Sequence, residues 1–379
     1  MNGYWRLFLL LQSLTATLCL SDTINNNMST MKAVLASQFG RPNDVLSIGT
    51  TPKPIVPANK EALLIQVLAC SLSPGDYRAL LGDKTVVCNP TMPYIPGGDV
   101  CGIVVEVSQG LTSLYSPGDR VVATWDTFGS GGLAEYHMVD PQRTAKLPPT
   151  LSVVEGAALA NSASHAMKIV DRATIRQGDR VLVLGGSGGV GTILLQLLRA
   201  KGASYVASTS TDIDLLNVLG VDKAIHYKET NWWEIQEFID SPFDVIIDVA
   251  EGLQGWRKVK TFPVLKGAKF GGRWVAVVLN DWHMNGKHFY QIFSILFPPL
   301  GRQLWNVVRS KTPYYRMYLG AADKASLEEA LQMAARKDIK VIVDPNSPHP
   351  FTEEGVKDAW NLHIDRKGHG KIVIHVGPL

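Results

Sequence analysis

Val181-Leu182-Val183-Leu184-Gly185-Gly186-Ser187-Gly188-Gly189-Val190-Gly191 runs from four apolar residues straight into a turn rich in glycine. The apolar run predicts a buried strand, and the glycines let the backbone turn tightly and approach a diphosphate that the amides of a following helix N-terminus can hold. A glycine-rich run alone is weak evidence, so its surroundings decide. Ile193, Leu194, Leu197 and Leu198 follow at helical spacing and stop near Gly202, after which Tyr205, Val206 and Ala207 read as a second strand. Strand, turn, helix and strand within about thirty residues is the size of one βαβ unit. No Lys-Ser or Lys-Thr closes the run, which disfavours the phosphate loop of an ATP or GTP hydrolase. A glycine turn without a ligand is the competing reading.

The end of the second strand bears on which dinucleotide would bind, because an acidic side chain there favours a free ribose 2′-hydroxyl and repels a 2′-phosphate. Ser208, Thr209, Ser210 and Thr211 stand there, with hydroxyls that can donate to a phosphate, so NADPH is expected over NADH. Asp212 follows at once, and no Arg or Lys lies in that turn.

With 379 residues, 46% of them hydrophobic and 19% charged, the chain can bury a large core and is expected to form two domains. A net charge of +3 with no dense basic stripe gives no reason to expect a nucleic-acid partner. Cys19, Cys70, Cys88 and Cys101 form no Cys-x-x-Cys pair, so neither a zinc knuckle nor a disulfide framework is indicated, and each reads as a small apolar filler. Residues 1 to 30 are set apart from the fold. Arg6 precedes the mostly apolar Leu7 to Leu20, the length of a signal-peptide core and short for a membrane span. No Ala-x-Ala site closes it, and Met28 and Met31 could each start an enzyme. Secretory or organellar targeting and a bland upstream extension with a cytoplasmic product both stay open.

From Met31 to about Val139 the chain is rich in strands and turns, with β-type runs at Ala62 to Leu68, Ile103 to Val107 and Arg120 to Thr124. From about Ala157 to Leu279 strands and helices alternate, with strands expected at Val181 to Leu184, Tyr205 to Ala207, Ala224 to His226, Val245 to Val249 and Trp274 to Leu279. That alternation predicts a parallel, doubly wound sheet. A helix over Leu327 to Ala335 and strands at Lys340 to Val343 and Lys371 to Val376 complete the pattern and are expected to rejoin the first domain. Between them, His288 to Tyr318 carries Phe289, Tyr290, Phe293, Phe297, Trp305, Tyr314, Tyr315 and Tyr318, either an apolar wall for a planar ligand or ordinary packing.

Ser73-Pro74-Gly75-Asp76, Pro96-Gly97-Gly98-Asp99-Val100-Cys101-Gly102, Gly118-Asp119-Arg120-Val121 and the Gly185 turn, in that order and spacing, resemble the medium-chain dehydrogenase/reductase superfamily, in its zinc-independent quinone oxidoreductase (zeta-crystallin-like) branch. The resemblance implies an α/β fold, a Rossmann doubly wound parallel sheet plus a GroES-like β-rich catalytic domain of the enoyl reductase type. Its parts would be a catalytic domain over 31–155, an NADP-binding Rossmann domain over 156–300 and a return to the catalytic domain over 301–379. In the zinc-dependent relatives a catalytic metal sits on Cys, His and Cys or Asp; the matching positions here are Ser73, Gly98 and Asn161, which lack the soft or imidazole donors that such a site uses. The four-cysteine lobe is missing too, since Trp125 to Gly132 runs directly into Leu133-Ala134-Glu135-Tyr136. No zinc is expected.

Without a Lewis acid, alcohol oxidation is disfavoured and reduction is the natural direction. A quinone or an α,β-unsaturated carbonyl accepts hydride at carbon and needs only a positioned nicotinamide and a donor for the charged oxygen. The resemblance implies that Gly185, Gly186, Ser187, Gly188, Gly189, Val190 and Gly191 hold the diphosphate of NADPH and that Tyr227 lies near the adenosine phosphate. It also puts Asp248 and Ser73 beside the nicotinamide half. Relatives commonly carry Pro and then Thr-Ala where this chain has Ala160 and His165-Ala166. His165 is therefore one expected catalytic donor, against a packed structural histidine; Tyr77 is the other, against a solvent-edge aromatic. Asp83-Lys84 replaces a tyrosine that some relatives use, which argues against fatty-acyl substrates. The expected partner is a small apolar carbonyl or quinone substrate, and the resemblance implies a homodimer. Two other readings are a catalytically weak NADPH-binding redox-sensing scaffold and a lipid-active enzyme held at a membrane by residues 1 to 27.

Overall fold

The computed structural model describes residues 29–83, 90–124, 131–280, 289–305 and 312–377. The apolar Leu7 to Leu20 stretch, Cys19, Lys84, Cys88, Trp125 and His288 lie outside the described residues.

The chain begins with an antiparallel pair, β1 (Thr30–Ala36) and β2 (Leu46–Pro52). Then come β3 (Leu63–Ser71), β4 (Asp99–Val107), β5 (Arg120–Ala123), β6 (Tyr136–Val139) and β7 (Thr144–Lys146). The alternating half begins with β8 (Arg180–Leu184), β9 (Tyr205–Ser210), β10 (Lys223–His226), β11 (Val245–Asp248), β12 (Arg273–Ala276) and β13 (Tyr314–Met317), and the chain ends with β14 (His349–Pro350) and β15 (Val373–His375).

Six strands form one sheet in the order β10-β9-β8-β11-β12-β13, with every neighbouring pair parallel. This is the dinucleotide-fold order, with its switch point beside β8. Alternate residues of β8 feed opposite layers, as the period of two requires. Val181 and Val183 pack with Ile193, Leu194, Leu197, Ile169 and Val170 of two helices, Gly189–Ala200 and Ser162–Ala173. Leu182 and Leu184 face Trp232, Phe238, Trp256 and Trp274 on the other side. Helices on both faces explain why β8 and β11 are almost wholly apolar, and each fully buried Leu or Val contributes about 1.5–3 kcal/mol.

The second sheet runs β14-β15-β3-β4-β5-β7, with β6 on β3. β15 pairs antiparallel with β3, so the C-terminus does rejoin the first sheet.

Three sequence expectations meet different geometry. β13 is the edge of the parallel sheet, so that sheet runs past the boundary expected at residue 300. The strand expected over Lys340 to Val343 reduces to one bridge, Val343 to Lys371. The side chain of Gln196 takes the place of a partner strand at Lys340, whose N–H donates to Oε1 at 2.7 Å and whose carbonyl accepts from Nε2 at 2.9 Å. The aromatic segment divides: Tyr315 is core, whereas Phe293 and Phe297, on the helix Phe289–Trp305, are exposed.

Candidate functional site

The glycine turn leaves β8 with Gly185 at φ +93°, where a side chain would be strained. Two other glycines are there for close packing: a Cβ on Gly186 would lie 2.0 Å from Ser208 Oγ, and one on Gly191 would lie 2.3 Å from the Gly185 carbonyl oxygen. Gly188 differs. A Cβ there would meet nothing closer than 4.0 Å, in front of the first turn of the helix Gly189–Ala200. The first amides of a helix have no partner within it, so this opening faces donors suited to an anion. The cradle fits a diphosphate. Gly370, just ahead of β15, borders it: its N–H donates to the Ser187 carbonyl at 2.7 Å.

Two of the hydroxyls at the end of β9, on Ser208 and Thr209, brace the glycine turn and the strand below it. Ser208, fully buried, donates to the Val183 carbonyl at 2.9 Å, and Thr209 Oγ1 accepts from the Gly185 N–H at 3.0 Å. Ser210 Oγ accepts from the Asp212 N–H at 2.8 Å and is buried. Ser208 Oγ lies under Gly186 of the turn with its proton committed to Val183. Tyr227 is 49% exposed just beyond β10. Asp248 ends β11 fully buried, accepting from the Ala250 and Glu251 N–H groups at 3.0 and 2.7 Å and from Gly252 at 2.6 Å. Burial pushes its carboxyl up to about 7 despite those donors. Its oxygens hold the loop after β11, an indirect service to any ligand there.

Ser73 starts the helix Pro74–Leu80, and its neighbours form a buried polar cluster. Its N–H donates to Asp76 Oδ2 at 2.7 Å and its hydroxyl to Asp99 Oδ2 at 2.7 Å. Thr124 donates to Asp99 Oδ1 at 2.9 Å, and the Lys371 ammonium lies 3.4 Å from Asp99 Oδ2. Burial raises the Asp99 carboxyl, with Lys371 and the two hydroxyls opposing, and pushes Asp76 up to about 7, with the charge on Asp99 adding to the effect. Asp76 Oδ1 is buried without a hydrogen-bond partner. The cluster touches the glycine turn through Lys371: a Cβ on Gly189 would lie 3.1 Å from both Lys371 Cδ and Ser162 Oγ. Asn161, beside Ser162, has a buried and unpartnered Oδ1, an acceptor of the kind that an amide-bearing ligand satisfies.

Of the two expected donors, His165 sits on the helix Ser162–Ala173 with Nδ1 2.7 Å from the Tyr318 hydroxyl. Burial pushes its pKa down to about 4, and the Lys371 and Lys168 charges act in the same direction. Tyr77 is no solvent-edge aromatic: it is 1% exposed, with its ring edge-on to His363 at 5.6 Å. Its helix turns inward at that residue and packs on the last helix, Glu353–Ile364. Cys70 and Cys101 are buried, and burial pushes the Cys101 thiol up to about 12, as befits an apolar filler. Among the described residues no group of three or more His, Cys, Asp or Glu side chains could hold a metal.

His363 is likewise pushed down to about 4, first by burial and then by Lys371. A base whose pKa is lower folded than unfolded stabilises the fold above about 6.5, and this is lost as pH falls through about 4. His363→Gln is therefore expected to lose less stability than the parent between pH 7 and 4.5. Urea unfolding at the two pH values measures this, and equal losses would refute it.

Residues 59–149 match the alcohol dehydrogenase GroES-like domain. The chain is 31% identical over 364 residues to the 2-methylene-furan-3-one reductase of Solanum lycopersicum, covering 92% of this chain and 80% of that one. The chain belongs to the quinone oxidoreductase branch of the medium-chain dehydrogenase/reductase superfamily. It is an oxidoreductase. A second member of this superfamily, the chloroplastic NADPH-dependent alkenal/one oxidoreductase of Arabidopsis thaliana, is 30% identical over 362 residues, again 92% of this chain and 80% of the relative. The quinone oxidoreductase structure from Coxiella burnetii superposes with a TM-score of 0.73 at 23% identity, covering 92% of this chain and all of that one, which agrees with the fold.

Asp99, Thr124, Lys371 and Tyr318 enter the site although none was expected as a site residue, and Thr209, expected to face a phosphate, instead accepts from the Gly185 N–H. Asp99 stood in the quoted Pro-Gly-Gly-Asp motif and Tyr318 in the aromatic segment. Nothing local marked Lys371, which reaches Asp99 across 272 positions.

Proposed function

We propose that this oxidoreductase reduces a quinone or an α,β-unsaturated carbonyl with hydride from NADPH and without zinc. The observation that carries the proposal is the opening at Gly188, a vacant side-chain position before a helix N-terminus on a turn whose other glycines all have neighbours within 3.1 Å of where a Cβ would stand. Bound there, NADPH supplies the hydride. The chain's own part is positioning and the exclusion of water. Gly188 and the first amides of the helix Gly189–Ala200 take the diphosphate; Lys371 lies alongside with a positive charge; Asn161 Oδ1 is left to accept from the amide end. His165 donates a hydrogen bond to the substrate oxygen as it gains charge, and water provides the proton that completes reduction.

The donor chemistry at the positions that hold metal in zinc-dependent relatives supports metal-free turnover. Ser73 offers a hydroxyl already directed at Asp99, Gly98 offers no side chain, and Asn161 offers a neutral amide. The preference for NADPH rests on Ser210 and Thr211, since Ser208 is committed to Val183.

The test is oxidation of NADPH by the purified full chain across a panel of quinones and enones, with and without 1,10-phenanthroline. Acceptor-dependent oxidation that the chelator leaves unchanged, and slower turnover with NADH, is the expected result. Binding of NADPH with no oxidation across the panel would favour the redox-sensing scaffold, and loss of activity on chelation would overturn the metal-free mechanism.

A further inference from the structure

We propose that Tyr318 is a positioning residue: its hydroxyl donates to Nδ1 of His165 and so fixes the imidazole with its N–H on Nε2, free to donate to the substrate oxygen. The inference rests on the role given to His165 in the proposed reductase and adds the group through which that role is set. No proton leaves the imidazole in this scheme. Nε2–H holds the developing oxyanion while water protonates it.

The pair comes from distant parts of the chain. Tyr318 follows β13, and His165 lies 153 positions earlier on the helix Ser162–Ala173; their rings meet edge to face with centroids 5.7 Å apart. The loop after Tyr318 is strapped to that same helix: Lys168 donates to the Ala321 carbonyl and pairs with Asp323, and the Asp323 N–H donates to Ser164 Oγ at 3.3 Å. The loop doubles back so closely that a Cβ on Gly320 would lie 2.1 Å from the Tyr318 hydroxyl, so glycine leaves that hydroxyl room to reach His165.

The direction of the hydrogen bond follows from charge. Burial pushes the Tyr318 pKa up, with Asp323 adding to it, so the phenol keeps its proton. Burial, Lys371 and Lys168 all disfavour a cationic His165, so it carries one N–H only. With the phenol donating to Nδ1, that N–H falls on Nε2. Three residues before His165 on the same helix, Ser162 has its Oγ 3.1 Å from where a Cβ on Gly189 would lie, so the helix that carries the imidazole runs beside the cradle.

The test combines spectroscopy and a mutant cycle on the full chain. Long-range 15N–1H spectra, with His165 assigned by its loss in His165→Leu, are expected to show the proton on Nε2 and an Nδ1 shifted by an accepted hydrogen bond. Tyr318→Phe should remove that shift and lower kcat about tenfold with the KM for NADPH unchanged, while His165→Leu lowers kcat by about a hundredfold or more. The double variant should be no slower than His165→Leu alone, since Tyr318 acts through the imidazole. Additive losses, or a proton on Nδ1 in the parent, would overturn the assignment. The parent spectrum decides even if Tyr318→Phe does not fold. A parent that neither binds nor oxidises NADPH would defeat the proposed reductase, whereas the spectrum would still read the tautomer.

Discussion

Gly188→Val is expected to abolish NADPH binding while the protein stays folded. The residue sits at φ −79°, which any amino acid adopts, and its nearest obstacle is the Gly185 carbonyl oxygen at 4.0 Å. Valine adds three carbons into the space where a diphosphate approaches the helix amides. Steric exclusion at such close range should weaken the complex at least a hundredfold, about 2.7 kcal/mol. The cost to the fold is far smaller, about 1 kcal/mol for replacing glycine at a helix N-cap with a β-branched residue. Gly191→Val is the contrasting control. Its Cβ would strike the Gly185 carbonyl oxygen at 2.3 Å and the Gly186 backbone at 2.8 Å, so the turn itself must move and the thermal midpoint should drop sharply. Fluorescence titration with NADPH beside a thermal melt separates the two effects. A Gly188→Val protein that bound NADPH as tightly as the parent would remove the diphosphate from this turn, and with it the main support for the reductase.

The two glycines also show what could be read from the chain by itself. Tight turns and strand periodicity are local properties, so the turn, β8 and β9 were legible where they stand. The direction of a hydroxyl was not. Ser208 and Ser210 have the right chemistry for a 2′-phosphate, yet Ser208 spends its proton on Val183, because the same strand must also support the turn that lies over it. Lys340 to Val343 has strand composition but finds the Gln196 amide as its partner, a contact that no local pattern announces. The polar cluster was the least visible part. Asp99 and Lys371 are 272 positions apart, and His165 and Tyr318 are 153 apart. Each meeting depends on long-range strand pairing, such as the docking of β15 and β4 on either side of β3 that brings Lys371 to Asp99. His165 could be flagged by its departure from the family pattern, whereas its partner could not.

Asp99→Ala is expected to cost about 3–5 kcal/mol of stability, the range found when one member of a buried ion pair is removed. Asp99 has no exposed surface and satisfies three donors at once: Ser73 at 2.7 Å, Thr124 at 2.9 Å and Lys371 at 3.4 Å. Alanine leaves all three without an acceptor in a dry site. Lys371→Met is the milder change, because the remaining carboxyl keeps its two hydroxyl donors and has a remedy: burial already raises its pKa, and without Lys371 it rises further, so it takes up a proton. The sign of the pH dependence follows. A carboxyl with a raised folded-state pKa stabilises the fold at low pH and loses that contribution as pH rises through it, so the Lys371→Met deficit should grow from pH 6 to pH 8. The double variant Asp99→Ala/Lys371→Met should be more stable than Asp99→Ala alone, since no buried cation is left stranded. Urea unfolding of the three variants at both pH values measures each of these. An Asp99→Ala protein within 1 kcal/mol of the parent would mean that water enters the cluster and does the work assigned to the carboxylate.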